Sequence, residues 1–100
     1  MTTPNELRLL PWSGPGDKPC YLSTDDPDGY MSRLADSIEA VQLVAAAELV
    51  EMASESLADE DAEPIELRRL GQALADALKD VLRVAVSRRH LLAAGESHRN

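Results

Sequence analysis

Residues 64–86 read PIELRRLGQALADALKDVLRVAV, and the spacing within them decides the fold. Leu67, Leu70, Leu74, Ala77, Val81 and Val84 recur three and four apart, which is a nearly strict heptad pattern. Pro64 suits the first turn of a helix, where its missing N–H leaves no bond unmade. Glu63 and Glu66 suit the positive end of the helix dipole. Arg88, Arg89 and His90 stand near the far end, where cations complement the negative pole. Gly95 is expected to stop the helix, leaving 64–94 helical and 95–100 as a disordered tail.

Upstream, Asp26-Pro27-Asp28 offers a carboxylate cap and a proline at the first helical position. Met31, Leu34, Ile38, Val41, Ala45, Leu49 and Met52 then repeat on one face. The helix is expected over 26–58, because Asp59-Glu60-Asp61 would oppose the dipole at a C-terminus. Each helix runs to roughly 30 residues, or about 45 Å at about 1.5 Å per residue. A five-residue connector forces them antiparallel. Residues 26–94 therefore read as a long αα-hairpin.

Composition agrees with an all-α chain. Ala supplies 14 residues and Leu 15, whereas Val and Ile together supply eight and Phe none. A β-sandwich or barrel needs far more β-branched and aromatic side chains. Residues 1–25 differ in kind. Pro4, Pro11, Pro15 and Pro19 punctuate them, and 13–19 (SGPGDKP) reads as a loop. It separates Leu7–Trp12 from Cys20–Leu22, which either pair as a short hairpin or lie extended against an apolar surface.

The helices carry more apolar surface than one hairpin contact hides. On the second, Leu78, Leu82, Ala85 and Leu92 widen the arc to about 180°, against the roughly 100° usual for a helix facing one core. The first adds Leu43, Ala46, Val50 and Leu57. Either the N-terminal segment covers this excess or a second copy does, and a homodimeric four-helix bundle fits the length better. Ile38, Val41, Ala45 and Leu49, with Leu70, Leu74, Ala77 and Val81, form the expected dimer or core seam. Gly71, inside a strong helix, suggests a close backbone approach to the first helix near Glu51 or across the dimer.

Charge is unevenly divided. Residues 26–63 hold eleven acids and one base, while 64–100 hold seven bases and four acids. An antiparallel register is expected to bring Glu39 near Arg83 and Glu55 near Arg68. The net −8 argues against direct nucleic-acid binding, which rests on clustered cations. No apolar run approaches a membrane span, and the N-terminus lacks a signal-peptide pattern. Cytoplasmic location without membrane contact is the expectation.

No reaction chemistry emerges. His90 and His98 lack converging ligands, so no metal or other cofactor is expected. Cys20 reads as a small apolar side chain rather than a nucleophile. Glu48, Glu51 and Glu55 line one helical face without a Glu-x-x-His partner, which excludes a di-iron site. They read as a solvated strip or a docking surface. Trp12, Tyr21 and Leu22 gather the few large apolar groups of the irregular segment, either capping the bundle or binding a partner.

The strings Leu10-Pro11-Trp12 and 19–30 (PCYLSTDDPDGY), extending through Ser32–Asp36 and Glu39–Leu43, resemble small uncharacterised proteins of high-GC actinobacteria, Streptomyces in particular. The resemblance covers about half the chain. It implies no activity, only a regulatory setting. The leading expectation is a non-enzymatic module binding an unidentified protein partner. The alternatives are an acidic nucleic-acid mimic that sequesters a DNA-binding regulator, and a small-molecule binder using the bundle core.

Overall fold

Good helix formers and a five-residue acidic connector give the chain its main feature, two long antiparallel helices. The computed structural model describes residues 7–23 and 29–97, with side chains as far as Arg89. Strand β1 (Leu7–Ser13) pairs antiparallel with β2 (Pro19–Ser23), and α1 (Tyr30–Ala58) and α2 (Pro64–Ser97) follow. Of the two readings of the N-terminal segment, the structure has the paired one.

Pro11 explains the shape of the small sheet. Leu7 faces Ser23, Arg8 faces Leu22 and Leu9 faces Tyr21, but the next pair is Ser13 with Pro19. Leu10, Pro11 and Trp12 thus stand opposite Cys20 alone, a bulge that takes a residue with no N–H to offer. The bulge buries Leu10 and Pro11 in succession. The turn closes with the Gly14 N–H donating to the Lys18 carbonyl at 2.8 Å, and Gly16 and Asp17 take positive φ of 68° and 60°. Glycine and aspartate are residue types that accept that region.

Helix α1 starts at Tyr30 with Gly29 extended before it, so its first turn lies later than the proline signal suggests. Asp26-Pro27-Asp28 lie outside the described residues. The connector is tied by the Asp59 carboxylate, which accepts from the Asp61 N–H at 2.9 Å. Helix α2 passes through Gly95 to Ser97, so the expected stop and the tail beginning at 95 are corrected. A glycine ends a helix by turning left-handed, and here the helix continues through Gly95. His98, Arg99 and Asn100 lie outside the described residues.

The seam of the helical hairpin also differs from the expected one. On α1 the inward series is Ser32, Ala35, Glu39, Gln42, Ala46, Leu49 and Ala53, again three and four apart. Val41 is 69 % exposed and Met52 61 %, and Ala45 is exposed too. The louder apolar stripe is one position, about 100°, away from the stripe that packs. Small and polar residues take the seam because β1 and the Arg8 side chain must fit there. On α2, Leu70, Leu74, Ala77 and Val81 are half-buried and Val84 is buried. Around Gly71 there is open space, so the expected close approach is absent within the chain.

The molecule is long and thin, 60 × 32 × 19 Å, with a radius of gyration of 17.3 Å. A compact chain of this length has a radius of about 13 Å.

Candidate interaction surface

β1 is fastened to the helices by polar side chains. Arg8 is 2 % exposed. Its Nε donates to Ser87 Oγ at 3.1 Å, its Nη1 to the Ser32 carbonyl at 3.1 Å, and its Nη2 to Asp36 Oδ1 at 2.6 Å and Glu39 Oε1 at 3.1 Å. Glu39 is fully buried, and Arg88 Nε approaches the same oxygen at 3.7 Å. One guanidinium therefore joins β1, α1 and α2. Two further bonds extend the clamp: Gln42 Nε2 donates to the Pro11 carbonyl at 2.9 Å, and Arg83 Nη1 to Ser13 Oγ at 3.0 Å. Arg83 also pairs with Asp80 at 2.7 Å.

This network corrects the expected cross-helix pairs. Glu39 meets Arg8 and Arg88 rather than Arg83, because β1 places Ser13 within reach of Arg83, and Asp80, a turn earlier on α2, takes the same guanidinium. Glu55 and Arg68 are both exposed. Sequence reasoning missed Arg8 by treating Leu7–Trp12 as one apolar piece. The available signal was alternation, with Arg8 and Leu10 on one face of a strand and Leu7 and Leu9 on the other.

The clamp occupies one side of the helical layer and leaves the other open. On α2, Asp80, Arg83 and Ser87 lie toward β1. A quarter-turn to the opposite side of the seam runs the stripe Leu67, Gly71, Leu74, Leu78, Leu82 and Ala85. Leu78 is 59 % exposed and Leu82 57 %. The same side of α1 presents Leu43, Val50 and Leu57, seven apart, with Val50 57 % and Leu57 65 % exposed. Against this stand five buried apolar residues among those described: Leu10, Pro11, Ala35, Ala53 and Val84.

The expected aromatic cluster is divided. Tyr21 is 54 % exposed and shares the outer face of the β-hairpin with Leu9 and Leu7. Leu22 pairs with Arg8 and takes the inner face, so it does not join Tyr21 in one surface. Trp12 is half-buried beyond the bulge. Glu48, Glu51 and Glu55 are all exposed along the outer side of α1. Among the described residues, no group of His, Cys, Asp and Glu is placed to hold a metal ion, and no helix is long and apolar enough to cross a membrane. Cys20 is half-buried as a free thiol.

No family model matches the chain, and no curated protein or solved structure matches it.

Proposed function

We propose that this chain is a non-enzymatic protein–protein interaction module whose helical hairpin is completed by a second copy, giving a homodimeric four-helix bundle. The observation that carries the reading is the open apolar stripe of Leu67, Leu78 and Leu82, flanked by Val50 and Leu57, with half-buried Leu74 and Leu43 at its edge. Exposed apolar surface of this extent on a small protein marks an association site. Each large side chain covered there contributes about 1.5–3 kcal/mol. The outer face of the β-hairpin, with Leu7, Leu9 and Tyr21, is then the surface offered to a different protein, since tyrosine is favoured at binding hot spots. The actinobacterial resemblance supports a regulatory setting for that partner.

Leu78→Asp tests the reading. Leu78 is 59 % exposed in the single chain, so a carboxylate there leaves the protomer's own packing in place. Self-association is expected to be lost while helical circular dichroism is retained. A variant that still associates as the parent does contradicts the assignment of this stripe.

A further inference from the structure

We propose that the groove between α1 and α2 beneath β1 is a recognition site for an arginine-bearing extended segment of a partner protein, and that β1 fills it in cis as an imperfect ligand. The groove lies on the other side of the helices from the leucine stripe, and the proposal does not depend on the dimer.

The helices alone build the site. Every acceptor around the Arg8 guanidinium belongs to them: Ser87 Oγ, the Ser32 carbonyl, Asp36 Oδ1 and Glu39 Oε1, at 2.6–3.1 Å. Such a set suits the planar fork of N–H donors of a guanidinium and not the compact ammonium of a lysine. Asp36 and Glu39 bring two negative charges, and Arg88, 3.7 Å from Glu39, offsets one of them. The other calls for a cation from outside the helices.

The way β1 occupies the groove points to a better ligand. Three buried side-chain polar atoms have no hydrogen-bond partner among the described residues: Glu39 Oε2, Gln42 Oε1 and Arg83 Nε. Their side chains are the ones that bond Arg8, Pro11 and Ser13 of β1. A buried polar atom left unpaired is costly, so each of these contacts is only half made. Gln42 shows the reason most clearly. Its Nε2 donates to the Pro11 carbonyl at 2.9 Å, which turns Oε1 toward the same stretch of chain. In an extended strand a residue's N–H and C=O point to the same side, but Pro11 has no N–H to give. A guanidinium that engages a carboxylate through two parallel bonds would likewise take Glu39 Oε2. The ligand that fits is therefore an extended segment with arginine at one position and a residue other than proline three positions later.

Fluorescence anisotropy on the full-length chain tests the site. Arg8→Ala vacates the guanidinium position, and the probe is a labelled peptide of residues 7–13 carrying Pro11→Ala. The peptide is expected to bind the Arg8→Ala chain at least about tenfold more tightly than it binds the parent, whose own arginine holds the site. It should also bind that chain at least about tenfold more tightly than the same peptide carrying Arg8→Lys. The two peptides share their apolar residues, so docking on the leucine stripe raises both alike. Equal binding of the two peptides, or equal binding to the two chains, overturns the proposal. Thermal melting of the Arg8→Ala chain gives a second reading. Methylguanidinium chloride at about 10 mM is expected to raise its melting temperature by several degrees, whereas methylammonium chloride at the same concentration does not. If the variant is unfolded alone, the first salt is expected to restore its helical circular dichroism and the second is not. A gain common to both salts, or absent with both, overturns the site.

Discussion

Arg8 and Glu39 show how one buried pair organises three elements. Removing water from both costs several kcal/mol per ion, which the pairing offsets only while every partner is present. Glu39→Ala leaves the guanidinium of Arg8 buried with Asp36 as its remaining carboxylate, so chemical denaturation is expected to show a loss of about 3–5 kcal/mol. The paired change Arg8→Met with Glu39→Leu removes both charges and should fall within about 1 kcal/mol of the parent, or above it. If the double variant is as damaged as the single one, the network does not work as an ion pair. Gly71 offers the opposite kind of test. Within the single chain a methyl group there meets nothing within 4 Å, so Gly71→Ala is expected to gain up to about 1 kcal/mol of helix stability unless the second copy packs its backbone on this part of the stripe. A loss would instead mean that another chain's backbone lies against that position. Arg8 was legible only through the strand alternation that sets it on one face with Leu10, and the space around Gly71 was not legible, because the packing around a glycine is a property of its neighbours in space.

At the level of elements, the two helices, their connector and their antiparallel course were readable because heptad spacing, Pro64 and the 59–61 acids all agree. The rotation of α1 was not. Apolar periodicity picks the stripe with the largest side chains, and here the packed stripe is the adjacent one of Ser32, Ala35, Glu39, Gln42 and Ala46, made small and polar by the strand it receives. The β-hairpin was only half legible, since strands of seven and five residues broken by a bulge at Pro11 give only a short alternation. Its inner strand buries Arg8, Leu10 and Pro11 against the helices, which makes it structural cover. A chain beginning at residue 24 therefore leaves Glu39 with Arg88 as its remaining cation. At this size each kcal/mol moves the melting temperature by about 4–8 °C, so truncation is expected to lower it by roughly 10 °C or more. A truncated chain melting within a few degrees of the parent would mean that the clamp contributes little to stability.

For the whole molecule, the dimensions and the surface lead to the same conclusion. A 100-residue chain extending 60 Å buries five apolar residues among those described and exposes Leu67, Leu78 and Leu82 along one side of α2. Small domains with so little core are marginal unless oligomerisation supplies the remainder. The excess apolar arc was legible in the sequence from helical spacing alone. Which part of it the N-terminal segment would cover was not, because that depends on where Arg8 finds its partners. Sedimentation equilibrium of the unmodified chain tests the central claim most directly. The account predicts a mass of about twice 10.9 kDa at micromolar concentration. A single 10.9 kDa species persisting at about 100 μM would contradict it.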